Sequence, residues 1–408
     1  MTAPEPVPTA STAAASRARA FVVLMGVVAL FGDMTYEGAR GVIGPYLGAL
    51  GASATMIGFA AGLGELLGYG LRLATGWLAD RTRAYWPLVI TGYAINLVAV
   101  PGLALVGRWE LGIALLLLER IGKAIRSPAR STLVSYAASE VGAGWSFGLE
   151  EALDQIGAVL GPLLVGAAMW MRAGAPVVDT YRIAFLVLLV PVVLNLLLVL
   201  SARIRYPRPE ALASESTPPP SAELRGTFRQ YVLACALLAL GFADWALVAL
   251  HAVRSELVGT PTLPFLYALV MGVDAVAALG FGTAFDRAGL RVLAIATACS
   301  AGLAPLVFLA PSWPVLVLGA ALWGIGMGAQ DSVFKAAVAT MVPKEARGRA
   351  YGIFFAVFGL AWWLGSTAMG WLYDHSRIGL VALSVVTQLG AALWLLVLHR
   401  RIQPVAPT

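Results

Sequence analysis

Uninterrupted apolar stretches of roughly 20 residues recur along almost the whole chain, and that length matches the hydrocarbon thickness of a bilayer. We count twelve: 18–43, 54–79, 85–107, 109–134, 144–171, 180–203, 227–252, 262–285, 290–310, 313–340, 346–373 and 378–399. Spread over 408 residues, they leave little chain for a water-soluble domain. Charged residues are 12% of the sequence and hydrophobic ones 59%. A soluble protein carries about 25% charge, so this chain has too little polar surface to cover itself in water. The same composition excludes a disordered chain. Transmembrane barrels alternate apolar and polar residues, whereas these runs are continuous. The expected fold is therefore all-α: a polytopic membrane protein of twelve transmembrane helices.

One long hydrophilic segment, rich in proline, divides the twelve spans into six and six. The expected organisation is a disordered N-terminal tail (1–17), a six-helix bundle (18–203), a cytoplasmic linker (204–226), a second six-helix bundle (227–400) and a short tail (401–408). Lysine and arginine sort by side. Eighteen fall at the termini and in the even-numbered loops, and five in the odd-numbered ones. The positive-inside rule then places both termini in the cytoplasm of a cell (inner) membrane protein. This sorting accounts for the net charge of +6 without nucleic acid. The order of charge and apolar sequence near Arg17 and Arg19 reads as an uncleaved first helix, not a signal peptide.

The halves repeat one another. An offset of 204 pairs Gly122 with Gly326, Gly144 with Gly348, Gly148 with Gly352, Gly161 with Gly365 and Gly166 with Gly370. An offset of 206 pairs Gly76-x-x-x-Asp80-Arg81 with Gly282-x-x-x-Asp286-Arg287. Two similar bundles in one orientation are a common plan among secondary transporters.

The segment from Gly76 to Arg83 resembles the cytoplasmic loop signature of the major facilitator superfamily, although Thr82 stands where that signature has a glycine. The second copy keeps one, Gly289. Physically, Gly76 and Gly282 permit close helix approach, and Asp80 and Asp286 can meet the positive end of a helix dipole. Arg81 and Arg83 can pair across the cytoplasmic face, so the motifs, with Arg287 in the second copy, read as a latch between the halves. In the fifth span, Gly148, Gly157, Gly161, Pro162 and Gly166 resemble the antiporter motif of the superfamily's drug:H+ exporters, with Val165 in place of a second glycine. Gly157 and Gly161 allow tight packing, and Pro162 removes a backbone hydrogen bond. Such a helix can act as a pivot between the halves. Arg120 resembles the superfamily's membrane-embedded arginine, which implies a part in proton coupling.

Charges inside a bilayer are costly and usually face a cavity or a partner. The first half carries Asp33, Glu37 and Arg40 on one face of its first helix, and Glu65 and Arg72 on its second. Glu119, Arg120 and Lys123 lie in the fourth helix, and Glu150, Glu151 and Asp154 in the fifth. Seven acids against four bases leave about three acids unpartnered. Burial favours the neutral form of an unpartnered carboxyl group, which suits it to carry a proton. Asp33 and Glu37 lead as coupling residues, with Arg120 as their electrostatic partner and Asp154 as a further candidate. Arg126 and Arg130 read as topology markers at the cytoplasmic exit. The second half holds fewer charges, among them Asp244, Asp331 and Lys335. Its eleventh helix presents Phe355, Phe358 and Trp362 on one face, suited to cations and flat amphiphiles. With Arg40, Glu119, Lys123, Glu150 and Glu151, these complete the expected substrate cavity.

There is no phosphate-binding GxxxxGK[ST] loop, no metal-ligand spacing among the three histidines, and no catalytic constellation. No enzyme activity, cofactor or metal is expected. Cys235 and Cys299 lie inside apolar runs and suggest no disulfide framework. The expectation is a monomeric secondary transporter in the lipid bilayer, exchanging a small-molecule substrate for protons, or for Na+ in their place. Efflux of a small amphiphilic compound is preferred. Import of a polar or anionic metabolite, a lipid flippase and a non-transporting receptor are the alternatives.

Overall fold

A computed structural model describes residues 10–209, 226–342 and 347–402. Helix α1 is Ala10–Ala49, α2 Ala54–Thr82, α3 Tyr85–Gly102, α4 Trp109–Val141 and α5 Ala143–Trp170. Helix α6 runs as Val177–Val187 and Leu189–Arg205, and α7 as Gly226–Gly241 and Trp245–Arg254. Helix α8 is Leu263–Ala288, α9 Leu290–Ser300 with Leu303–Phe308, α10 Trp313–Met341, α11 Arg347–His375 and α12 Arg377–Ile402. Among the described residues there is no strand. All twelve expected spans are present, six in each half. Eleven of them are long and apolar enough to cross a membrane. The remaining one, α4, is long enough but carries Glu119, Arg120, Lys123, Arg126 and Arg130. Large apolar side chains such as Leu105, Val276, Leu279 and Ile378 stand exposed on the outside of the bundle.

Several boundaries differ from the sequence reading, two of them by the most. Helix α1 starts at Ala10, inside the stretch expected to be a disordered tail, because Ala10 and Ala13–Ala15 favour helix. Helix α4 continues to Val141, beyond the expected end at 134. Most of the expected linker, 210–225, lies outside the described residues, as do 1–9.

The helix breaks follow from backbone chemistry. Pro191 and Pro305 lack the N–H that would bond the carbonyls of Val187 and Ala301, and α6 and α9 break beside those residues. Pro128 likewise frees the Ala124 carbonyl, but the Thr75 hydroxyl of α2 donates to it at 2.8 Å, and α4 runs on unbroken. Helix α7 breaks at 242–244. The Gly241 carbonyl accepts from Ser384 Oγ (2.6 Å) and Gln388 Nε2 (3.1 Å), and the Ala243 carbonyl from Trp323 Nε1 (2.9 Å). Freed backbone groups in an apolar layer need such partners.

The halves meet tightly on the side away from the chain termini. A Cβ on Gly44 would overlap the Ala246 carbonyl, and one on Gly58 the Ser366 carbonyl. One on Gly370 would lie 2.5 Å from the Ala54 carbonyl. Asp374, at the end of α11, accepts hydrogen bonds from the Ala54 and Thr55 amides (3.3 and 2.9 Å) and from Thr55 Oγ1 (2.8 Å). It caps α2 of the other half. On the termini side α5 and α8 part, with nothing within 4 Å of a Cβ placed on Gly144 or Gly148 of α5 or on Gly272 or Gly280 of α8, while α2 and α11 still touch there, a Cβ on Gly352 lying 2.5 Å from Leu73.

Candidate functional site

The space between the halves is a cavity of about 540 Å³, lined by α1, α2, α4 and α5 on one side and α8, α10 and α11 on the other. That volume suits a small molecule. Eight acidic and seven basic side chains line it. It opens toward the termini, where Phe147, Glu151 and Lys335 are exposed.

Two ion-pair clusters occupy the first-half wall. In the upper one Arg40 lies 3.7 Å from Glu37 and 3.9 Å from Glu65. Arg120 lies 3.2 Å from Glu65 and 3.7 Å from Glu119. The Tyr36 ring sits under three cations: Lys123 Nζ at 3.5 Å, Arg120 Cζ at 4.5 Å and Arg40 Cζ at 5.9 Å from its centroid. Tyr267 of α8 donates its hydroxyl to Glu37 at 2.5 Å, which ties this cluster to the second half. In the lower cluster Arg130 holds Glu150 at 2.5 Å and Asp154 at 3.4 Å, and donates to Tyr93 at 3.4 Å.

Several expectations are corrected by this geometry. Arg120 partners Glu65 and Glu119, not Asp33 or Glu37, because its side chain crosses from α4 to α2. Glu37 is not an unpaired acid: Arg40 and Tyr267 engage it. Arg72, on the same helix as Glu65, forms no ion pair with a described residue and lies 5.3 Å from the Tyr69 ring centroid. Arg126 and Arg130 are not exit markers. The extra length of α4 leaves both on the cavity wall, with Arg126 buried against Tyr93 at 4.5 Å. Asp331 and Lys335, one turn apart, are not within ion-pair distance.

The expected cavity set divides. Arg40, Lys123, Glu150, Glu151, Asp331, Lys335, Phe355 and Trp362 do line the space. Asp244 does not. It is buried at the α7 break, where it caps the second helical piece through the Ala246 amide (3.0 Å) and accepts from Trp362 Nε1 (3.2 Å). Glu119 lies behind Arg120, facing a small void beside Tyr36. Phe358 lines only a side recess beside Phe355. Among the coupling candidates, Asp33 and Asp154 line the cavity. Asp33 has no ion pair or hydrogen bond to any described residue.

The glycines of α5 pack as tightly as expected, but against their own half. A Cβ on Gly157 would overlap the Leu30 carbonyl and one on Gly161 the Met34 carbonyl, both on α1. Pro162 is buried beside them within an unbroken helix. Only Gly166 meets the other half, at Phe265. Gly76 and Gly282 are not forced glycines, since a Cβ there would stand 3.6 Å from Pro128 and 3.8 Å from Ser332. Asp80, Arg81, Asp286 and Arg287 are exposed and form no ion pairs with described residues. Arg81 rests 5.2 Å from the Trp77 ring centroid.

A family model described as Major Facilitator Superfamily matches residues 22–280 and 233–407. The chain belongs to the Major Facilitator Superfamily. It is 38% identical over 395 residues to an uncharacterized protein of Mycobacterium tuberculosis, covering 95% of this chain and 94% of that one. It is 24% identical over 372 residues to an uncharacterized MFS-type transporter of Methanocaldococcus jannaschii, covering 87% and 89%. Among solved structures, the fold is similar to that of the peptide transporter POT in complex with sulfate (TM-score 0.71, 16% identity, 93% of each chain). It is also similar to a bacterial homolog of the human lysosomal transporter Spinster in an inward-facing, unoccupied conformation (TM-score 0.66, 14% identity, 94% and 95%).

In this superfamily member the twelve helices form a multi-pass membrane bundle around a charged central cavity, and it is a transporter, not an enzyme. Sequence reasoning did not assign several cavity residues, Tyr36, Tyr69, Arg126, Arg130 and Asp274, nor the buried Tyr267 that ties Glu37 to the second half. Asp274 was visible as a charge inside an apolar span. The tyrosines carried no such signal, since aromatic residues are common on lipid-facing and packing surfaces alike.

Proposed function

We propose that this transporter works by alternating access and couples protons to the export of a small amphiphilic solute across the cell membrane. The observation that carries the coupling is Asp33. Every arginine of the two first-half clusters is committed to another acid; Asp33 and Glu151 are left on the first-half wall without an ion pair or hydrogen bond to a described residue, and Asp33 is the less exposed of the two. Such a carboxyl group can exchange its proton with whichever side the cavity faces. Asp154 takes the next place, because it shares Arg130 with Glu150 and its Oδ1 has no hydrogen-bond partner. The sealed face and the parted face are what one state of a two-state carrier requires. With both termini in the cytoplasm, this state loads from inside. Export is preferred on the fifth-helix motif, and an amphiphile on the aromatic wall of Phe355 and Trp362. The unpaired Lys123 and Arg126 favour a second reading, import of an anionic metabolite. It predicts that Lys123→Ala weakens binding of an acidic ligand.

The test is internal pH in proteoliposomes when candidate amphiphiles are added, with wild type beside Asp33→Asn. Solute-driven proton movement that disappears in Asp33→Asn, while solute binding persists, is the expected result. Equal proton movement in both proteins overturns the assignment of Asp33.

A further inference from the structure

The second-half wall of the cavity carries two acids, Asp274 and Asp331, that form no ion pair with a described residue. Asp274 of α8 is 4% exposed, it lines the cavity, and its Oδ1 has no hydrogen-bond partner. A buried carboxylate left in this condition is costly. The neighbouring polar groups are occupied elsewhere. Tyr267, about two turns away on the same helix, gives its hydroxyl to Glu37. Gln330 of α10 gives its amide to the Gly326 carbonyl at 3.0 Å. Lys335 pairs with neither Asp274 nor Asp331 within 4 Å.

Asp331 is brought to the same place by backbone packing. A Cβ on Gly328 of α10 would lie 2.5 Å from the Asp274 carbonyl, and one on Gly324 would lie 2.6 Å from that of Val270. The helices therefore touch backbone to backbone at Asp274, and Asp331 follows Gly328 by three residues, close to one turn. Both carboxylates face the cavity, flanked by Met271 and Met327. Across from them stand Phe355, stacked on Tyr69 at 5.1 Å and 8°, and Trp362, fixed by its hydrogen bond to Asp244. Thioethers and aromatic faces are soft, polarizable surfaces that favour cations and apolar bodies together.

We propose that Asp274 and Asp331 form a binding site for a lipophilic organic cation, whose charge sits between the carboxylates and whose body lies on Phe355 and Trp362. The proposal rests on the transporter reading above and names its substrate class. It places substrate on the second-half wall and the coupling proton on the first-half wall, at Asp33. The two sites then share one cavity without sharing a carboxylate. A cation bound to the second half supplies the charge that Asp274 lacks, and this is why that acid is tolerated where it lies.

The experiment measures equilibrium binding to the purified full-length chain in lipid nanodiscs. The probes are tetraphenylphosphonium and tetraphenylborate, ions of similar shape and opposite charge. Tetraphenylphosphonium carries no transferable proton, so its binding is separable from protonation. The wild-type chain is expected to bind tetraphenylphosphonium and to discriminate against tetraphenylborate. Asp274→Asn and Asp331→Asn are each expected to weaken tetraphenylphosphonium binding by at least about tenfold. Asp331 is exposed in the cavity, so its variant reads out binding even if Asp274→Asn folds poorly. Unchanged affinity in Asp331→Asn and in a folded Asp274→Asn, or equal binding of the two ions, overturns the cation site. Proton movement driven by other solutes in the wild type would then still support the transporter reading. Loss of proton movement with tetraphenylphosphonium affinity intact would make the two acids proton carriers and also overturn the inference.

Discussion

Removing the Asp374 carboxylate should open the sealed face more often. That side chain is one of the few polar contacts that cross between the halves, and it accepts two backbone amides and one hydroxyl at the start of α2. A helix cap of this kind contributes about 1 kcal/mol. The Thr55 hydroxyl bond adds about another 1 kcal/mol, and the exposure of Asp374 argues against a larger figure. These contacts exist only while the face is closed, so their loss shifts the closed–open balance by the whole amount. About 2 kcal/mol corresponds to about a 30-fold rise in the fraction open on that side. The change can be read by thiol labelling. Ser366 is fully buried in the seal and its hydroxyl has no hydrogen-bond partner, so Ser366→Cys disturbs little. In a Cys235→Ala, Cys299→Ala background, a membrane-impermeant maleimide should label Ser366→Cys about 30-fold faster when Asp374→Ala is added. Asp374→Asn keeps one acceptor and should fall between. An unchanged labelling rate in Asp374→Ala would refute the idea that this cap holds the seal.

Two further substitutions test the packing and the charge clusters. Gly161→Ala places a Cβ against the Met34 carbonyl and should destabilise the protein by about 1–3 kcal/mol, seen as a lower melting temperature in detergent. Gly148→Ala, on the same helix but with open space around it, should leave the melting temperature unchanged. Arg130→Ala strands Glu150 and Asp154 without a cation and should cost about 3–5 kcal/mol. Adding Glu150→Gln should recover part of that loss, and no recovery would show that Arg130 acts by packing alone.

The twelve spans, their division into two halves and most helix ends were legible because apolar length and proline position are local properties of the chain. The breaks in α6 and α9 and the unbroken passage of α4 through Pro128 show where local reading stops. Each proline frees a carbonyl, but only the packed structure decides whether a side chain such as Thr75 arrives to satisfy it. The continuation of α4 then changes what Arg130 is. Counted near a span end, it resembles every other basic residue that marks a membrane side. Set eleven residues inside the helix end, it faces the cavity and holds two acids of α5.

The ion pairs illustrate the same limit. Spacing along one helix suggests partners three or four residues apart, and Arg40 does reach Glu37 in that way. The shorter contacts, Arg120 to Glu65 and Arg130 to Glu150, join different helices. Long arginine side chains bridge neighbouring helices, and sequence spacing contains no record of which helices are neighbours. The count of seven acids against four bases left out Arg126 and Arg130; with both on the cavity wall, six acids of the first half face six bases, and no net surplus remains. Which acids stand unpaired is a property of packing. Here Arg40 and Tyr267 engage Glu37, Arg130 engages Glu150 and Asp154, and Asp33 and Glu151 stand without an ion pair to a described residue. A charge count therefore finds the half of the protein in which buried charges gather, while the acids that stand without a partner are decided by where the arginines of neighbouring helices reach.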